Sequence, residues 1–248
     1  MRLFFEIAYK GTNYHGWQVQ KNAVTVQGVM HEALQTIFRK EIETIGSGRT
    51  DTGVHASQQY LHADLDKEID FQKLRFKLNS LLPKDICIRS IRQVKSEASA
   101  RFDAISRSYE YHIHQAKDPF LLETSYYFTK ELNISLMNET SEILLGQHDF
   151  QCFSKVKTEV NNFICDIKRA EWVNEGNERL IFHISANRFL RGMVRAIVGT
   201  LLDIGTGKIN LEDFEQIIAS KDRKKAGRAA PAQGLFLTEI IYPDEIFL

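Results

Sequence analysis

The chain has 248 residues, and its 32 lysines and arginines match its 32 aspartates and glutamates, so the formal net charge is zero. That balance excludes a uniformly basic surface, and any polyanion site has to come from segregated charge. Hydrophobic residues make up 43% of the sequence, enough to core one large domain or two small ones, and no apolar run reaches membrane-span length. Cys87, Cys152 and Cys165 are widely spaced and odd in number, with no CxxC pair and no disulfide framework, which points to a reducing cytoplasm.

The opening "RLFFEIAY" carries Glu6 within its apolar run and soon meets Gly11, so it reads as a strand and not a signal peptide. In "VQGVMHEALQTIF", Val26, Val29, Met30, Ala33, Leu34, Ile37 and Phe38 recur at helical spacing. Strands "IETIG" and "ASQQYLHADL" follow, then a helix from Ile69 to Leu82 stopped by Pro83, and strand "ICIRSIRQV". After about residue 105 a similar order returns. Strand "RSYEYHIHQ" leads to a helix capped by Asn133 and closed by Gly146, then to strands "FICDIKRAEWV" and "RLIFHISA". A helix from about Asn187 to Leu202, a shorter one after Asn210 and strand "GLFLTEIIY" complete the chain. Two copies of a split β-α-β plan, residues 1–105 and 106–248, predict an α+β fold with a largely antiparallel sheet. No residue-level repeat links the halves.

The polar stretch "IGSGRTDTGVHASQ" concentrates Gly46, Gly48 and Gly53 around Arg49 and Asp51, more glycine than a simple reversal needs. It is no dinucleotide fingerprint, because Asp51 occupies the third glycine position, and no phosphate loop, because no GK[ST] follows. HExxH, the zinc deaminase pattern and GxSxG are also absent. His112 and His114 alternate on a strand, where exposed or packed histidines are expected before a metal pair. Asp51-Thr52-Gly53 is the aspartic protease tripeptide, whose chemistry needs a second carboxylate that only a homodimer would supply here. Against it, Asp51 follows Gly48-Arg49-Thr50 instead of buried apolar residues, and the nearby arginine favours a permanently ionised carboxylate. The loop alone does not separate a functional aspartate from one that bonds its own backbone.

In "NRFLRGMVRAIVGTLL", a helical reading puts Phe189, Leu190, Met193, Val194, Ile197 and Leu201 on a buried stripe. It sets Arg188, Arg191 and Arg195 together on the opposite face, with Gly192 and Gly199 beside them as small residues that admit a close approach. The cluster "KDRKKAGR" from Lys221 to Arg228 reads as a second basic patch on a loop. Each patch alone is a solvated surface; two of them in a neutral chain meet the requirement of segregated phosphate binding.

Six segments taken in order resemble the tRNA pseudouridine synthase A family along the whole chain. They are "AYKGTNYHGWQVQ", "GSGRTDTGVHA", "ARFDAISRSYEYHI", "LLGQHDFQCFS", "NRFLRGMVRAIVGTLL" and "APAQGLFLTEIIY". The resemblance implies a cytoplasmic homodimer that needs no cofactor and isomerises uridine in the anticodon stem-loop of tRNA. The implied fold is the pseudouridine synthase fold of two ferredoxin-like halves. By motif position, the resemblance makes Asp51 the catalytic aspartate, Tyr109 the residue against the target uracil, Arg195 the partner of the aspartate and Arg49 the arginine beside it. Lys10 stands where the opening motif has aspartate, Ala98-Ser99 where Phe-His is expected, Arg188 where a small residue follows Asn187, and Arg228 where proline is common.

The chemistry suits these residues. Uridine and pseudouridine are isomers, so neither redox cofactor nor ATP is required. An ionised aspartate either attacks the sugar at C1′ or takes a proton from C2′. A tyrosine ring can stack on the detached base while it turns, and its hydroxyl could assist loss of the C5 proton, although with a free pKa of about 10 it would need help as a base. A target in a structured stem-loop has to be flipped out, and Arg49 is the candidate to fill the gap. Arg188 and Arg191 are the candidate phosphate contacts. His55 and Thr50 are expected to pack the loop, Trp17 and Gln18 to form the opening turn, and Phe236 and Leu237 to be a core pair of the last strand, with Leu237 a candidate for packing on the uracil.

Overall fold

A computed structural model of the chain describes residues 1–66, 69–156 and 162–248, which divide into two units, Met1–Ser106 with Phe236–Leu248, and Arg107–Leu235. In the first unit β1 (Arg2–Tyr9) leads to α1 (Val26–Phe38), the helix read from the sequence. The Thr25 hydroxyl starts α1 by accepting the Gly28 N–H at 3.2 Å, and Val26, Met30, Ala33 and Leu34 form its buried stripe. Then come β2 (Ile45–Gly46), β3 (His55–Asp64), α2 (Phe71–Leu81) and β4 (Ile86–Val94). Asp70 caps α2 by accepting the N–H groups of Gln72 and Lys73, both at 3.0 Å. β1 lies between β3 and β4, antiparallel to each, and β2 pairs antiparallel with β3. The order β4-β1-β3-β2 is a β-α-β-β-α-β arrangement, and it carries the stretch from Ser47 to Val54 as the connection from β2 into β3.

The second unit contains β5 (Ser106–His114), β6 (Tyr126–Tyr127), α3 (Ile134–Glu142), β7 (Gly146–Asp149), β8 (Ile164–Gly176) and β9 (Arg179–Ala186). Helices α4 (Met193–Gly205) and α5 (Leu211–Ser220) complete it, and the last strand of the chain is β10 (Leu235–Ile241), which from Phe236 onward lies in the first unit. Strands β5, β9, β8 and β7 neighbour one another in that order, all antiparallel, and β6 runs parallel to β5. The fold is α+β and largely antiparallel, as the sequence pattern predicts. Among the described residues, no helix is long and apolar enough to cross a membrane.

Three sequence readings differ from the structure. Residues 106–248 read as one half, yet Phe236–Leu248 belongs with the first unit. Strand β10 pairs parallel with β3 (Phe236 with His55, Leu237 with Ala56), and the last residues cover an aromatic face of β1. There Phe4 meets Tyr242 edge-on at 5.1 Å and Phe247 at 6.1 Å, so β1 is buried on both faces. Gly146 was expected to close α3; the helix ends at Glu142, and Gly146, with φ 86°, opens β7. The third difference concerns the arginines. The helix read from Asn187 begins only at Met193, after Gly192 with φ 72°. Residues 187–191 are held out of the helix by bonds to neighbouring chain. Asn187 exchanges bonds with Asp166 at 3.1 and 2.9 Å, and the Arg191 carbonyl accepts the Lys155 N–H at 2.9 Å. Arg188 and Arg191 therefore precede the helix and share no helical face with Arg195.

The face covered by Phe247 also contains a pH sensor of stability. His62 is 4% exposed, and its Nδ1 accepts the Ala100 N–H at 3.0 Å, a bond that requires an unprotonated nitrogen. Burial, with Arg2 nearby, lowers its pKa, and burial likewise lowers those of His31 and His114. Groups that stay neutral in the fold but protonate when unfolded stabilise above the unfolded pKa of about 6.5, and that stability is lost as pH falls below it. Thermal unfolding is expected to show the Tm dropping steadily below about pH 6.5, with a shallower slope in His62→Gln. An unchanged slope in that variant removes His62 from the account.

Candidate active site

Asp51 is half-buried and opens a tight turn. The Val54 N–H donates to the Asp51 carbonyl at 3.1 Å, and Gly53, third in the turn, has φ 78°. A type II turn requires that left-handed conformation at its third residue, which explains Gly53. Gly46 has a different purpose: a Cβ there would lie 2.4 Å from Nε1 of the Trp17 indole. A Cβ on Gly48 would meet nothing within 4 Å. The glycines therefore do not share the one purpose that the sequence suggests, since two serve the internal construction of the loop.

The loop is held from two sides. On one side lies the segment from Tyr9 to Trp17. The Trp17 N–H donates to the Thr50 carbonyl at 3.2 Å, the Gly53 N–H donates to the Tyr14 carbonyl at 3.3 Å, and the Tyr9 and Thr50 hydroxyls are bonded at 2.8 Å. On the other side Gln59, fully buried, donates to the Gly48 carbonyl at 3.0 Å and accepts the Ser47 hydroxyl. His55 packs as expected: its Nδ1 accepts the Gly11 N–H at 2.9 Å, and its ring stacks on Phe236 at 4.5 Å. Trp17 is 2% exposed and structural, whereas Gln18 and Arg49 are exposed. Leu237 is buried in the last strand.

Tyr109 and Arg195 belong to the second unit, as do Arg188 and Arg191, whereas Asp51 and Arg49 belong to the first. Tyr109 lies on β5 opposite Ile184 and is half-buried, with its ring edge-on to Phe189 at 5.1 Å. Tyr111 points to the same face, two residues on, but is fully buried. It donates its hydroxyl to the Pro231 carbonyl at 2.8 Å, and burial raises its pKa well above the usual range. Of the two tyrosines, only Tyr109 keeps surface for a ligand. Arg188 is half-buried and Arg191 exposed, both on the link between β9 and α4.

Arg195, in the first turn of α4, is anchored by a strap of the chain that precedes β10. Its Nε donates to the Ala230 carbonyl at 2.6 Å, and the Ala230 N–H donates to the Arg195 carbonyl at 2.9 Å. The Gly227 N–H donates to the Thr200 hydroxyl at 2.9 Å, and the Arg228 backbone lies against Gly199. The small residue on α4 thus admits the chain's own backbone, which corrects the reading that it leaves room for something else. Nor is "KDRKKAGR" simply a solvated loop. Lys221 pairs with Asp149 at 2.8 Å, and Arg223 bonds the carbonyls of Ala226 and Gly227 at 3.3 and 3.1 Å; Lys224, Lys225 and Arg228 are exposed. Elsewhere, Lys10 is exposed, Ala98 is buried, and the Ser99 N–H donates to the Asp103 carboxylate at 2.8 Å.

Among the described residues, no group of three or more His, Cys, Asp or Glu side chains is placed to hold a metal. His112 bonds the Glu110 carboxylate at 2.9 Å, and His114 is buried and stacked on Tyr127 at 5.2 Å. Burial pushes the Cys152 and Cys165 thiols up to about 12 and 11, so neither is a nucleophile near neutral pH. Sequence reasoning missed Tyr9 and Gln59, the two side chains that brace the aspartate loop. A glutamine among the inward positions of an apolar strand was the available signal, since buried amides need specific partners.

A family model described as tRNA pseudouridine synthase matches residues 7–103 and 141–243. A protein of Bacteroides fragilis called tRNA pseudouridine synthase A is 47% identical over 99% of this chain and 98% of its own length. Proteins of the same description from Bacteroides thetaiotaomicron and Bacillus licheniformis are 48% and 39% identical. The first covers 99% of this chain and 92% of the relative, the second 98% and 100%.

Proposed function

The chain belongs to the tRNA pseudouridine synthase family, and on that premise we propose that it isomerises uridine to pseudouridine in the anticodon stem-loop of tRNA, with Asp51 as the catalytic carboxylate. The observation that carries the residue assignment is the turn at Asp51. A half-buried carboxylate is mounted on a loop whose backbone is bonded on both sides, with Gly53 in the one conformation that the turn demands. Such mounting keeps a reacting group in place without help from the substrate.

Asp51 either adds to C1′ as N1 departs or takes the C2′ proton, and in both cases the uracil is freed from the ribose. The base turns and C5 bonds to C1′, displacing the Asp51 oxygen in the first route or with the proton returned to C2′ in the second; the C5 proton leaves and N1 takes one up. Tyr109 lies against the uracil during that rotation, and its hydroxyl assists removal of the C5 proton. Arg195 supplies the positive charge that keeps the carboxylate ionised, Arg49 fills the stack left by the flipped nucleotide, and Arg188 and Arg191 meet phosphates. No cofactor is needed, because every atom of the product comes from the substrate except for one exchanged proton, and the family resemblance extends the reading to a cytoplasmic homodimer.

Release of tritium from tRNA labelled at uridine C5 tests the reaction directly, since the label leaves only when C5 is joined to the sugar. Tight tRNA binding without release would reduce the protein to an RNA-binding module. Tyr109→Phe is expected to bind tRNA normally and to release tritium about a hundredfold more slowly, the scale of a lost proton-transfer group. If the phenylalanine variant keeps the full rate, Tyr109 is a stacking surface and its hydroxyl has no part in the chemistry.

A further inference from the structure

We infer that Tyr9 is a positioning residue for the reaction, setting the aspartate loop through the bond between its hydroxyl and that of Thr50. The inference rests on the reading of Asp51 as the catalytic carboxylate.

Tyr9 is the last residue of β1, and the strand is irregular where it approaches that end. Its register with β3 slips between Ile7 and Tyr9, from Ile7–Gln59 to Tyr9–Ala56, and its register with β4 slips between Glu6 and Ile7. Irregularities of this kind re-aim the side chain that follows them. Tyr9 is 5% exposed, with its ring beside the Trp17 indole at 6.1 Å, and its hydroxyl is 2.8 Å from Oγ1 of Thr50, itself 8% exposed. The bond is therefore buried and ends on the residue immediately before Asp51.

The bond adds a side-chain tie to a segment whose backbone is held at several points. The backbone of Thr50 is pinned to Trp17 through its carbonyl, and a Cβ on Gly16 would lie 2.5 Å from that same oxygen. Gln59 holds Gly48, and Tyr14 holds Gly53. Between those anchors the Thr50 hydroxyl is tied to the Tyr9 hydroxyl, a side-chain bond beside the backbone bond that holds the peptide leading to Asp51. Losing the bond leaves a buried hydroxyl in need of another partner, a cost that a small shift of the loop beside Asp51 would relieve. A small displacement of a reacting group costs rate, while leaving binding by remote phosphate contacts intact.

The experiment compares Tyr9→Phe, Thr50→Val, the double variant, Thr50→Ser and Asp51→Asn by single-turnover tritium release at saturating tRNA, with tRNA affinity and Tm measured alongside. Tyr9→Phe and Thr50→Val are each expected to slow the step about ten- to a hundredfold with affinity unchanged. The double variant should be no slower than either single one, and Thr50→Ser, which keeps the hydroxyl, should restore most of the rate. A wild-type rate in Tyr9→Phe beside an inactive Asp51→Asn overturns this inference alone. Additive losses in the double variant, or lowered Tm with unchanged rate, also overturn it, by showing separate or merely structural contributions. An active Asp51→Asn removes the aspartate reading and this inference with it.

Discussion

Asp51→Asn is expected to abolish tritium release, a loss on the order of ten-thousandfold or more, with tRNA affinity within a few-fold of the parent protein. The substitution replaces one carboxylate oxygen by an amide nitrogen and leaves the turn in place. Asp51 makes the turn bond through its backbone carbonyl, to the Val54 N–H, and asparagine is as acceptable as aspartate at the first position of a turn. Gly53 keeps its φ of 78° and Thr50 its bond to Tyr9, so the backbone of the turn is expected to persist. On the proposed reading, what disappears is the negative charge that attacks C1′ or removes the C2′ proton, and a neutral amide does neither. Affinity comes mainly from contacts to the phosphate backbone, which this change does not touch. Single-turnover assays with mass spectrometry to exclude deamidated protein decide the matter. Turnover in verified asparagine protein would return the loop to the reading in which its aspartate only bonds its own backbone.

Elements that local chemistry decides were legible in the sequence. Helix α1 has its cap at Thr25 and its stripe at Val26, Met30, Ala33 and Leu34 within a few residues of one another, so periodicity located it residue for residue. The start of α4 was not legible. The stretch 187–192 has helical periodicity, but its backbone is taken by Asp166 and Lys155, partners distant in sequence that no local pattern reveals. The destination of the last strand was hidden for the same reason, because the face of β1 at Phe4 is completed by Tyr242 and Phe247. The site divides similarly. Asp51 stood out because its loop has an unusual local composition, and Tyr109 through the motif that contains it. Tyr9, 41 positions from Thr50, looked like one more aromatic residue of a strand. The arginine row was an artefact of extending a helix through residues whose hydrogen bonds are satisfied elsewhere.

Gly199→Ala is expected to be the most damaging single methyl group added to α4, although alanine is intrinsically the better helix former by about 1 kcal/mol. A Cβ at this position would lie 1.8 Å from the Arg228 carbonyl oxygen and 2.9 Å from its carbon, far inside contact distance. The obstacle is backbone, which cannot swing aside as a side chain does, so the strap has to lift from the helix. Lifting it breaks the Gly227 bond to Thr200 and both bonds between Ala230 and Arg195. Overpacking costs about 1–3 kcal/mol, and each buried hydrogen bond lost costs about 1 more, so the propensity gain is outweighed. Stability should fall by about 2 kcal/mol or more, visible as a lowered Tm. Single-turnover tritium release should fall as well, because the Arg195 guanidinium loses the carbonyl that orients it. Gly48→Ala is the matched control: a Cβ there meets nothing within 4 Å, and its Tm should stay close to that of the parent. Equal melting temperatures for the two alanine variants would mean that the strap does not rest on Gly199. A lowered Tm with a full catalytic rate would instead keep the strap and release Arg195 from the reaction.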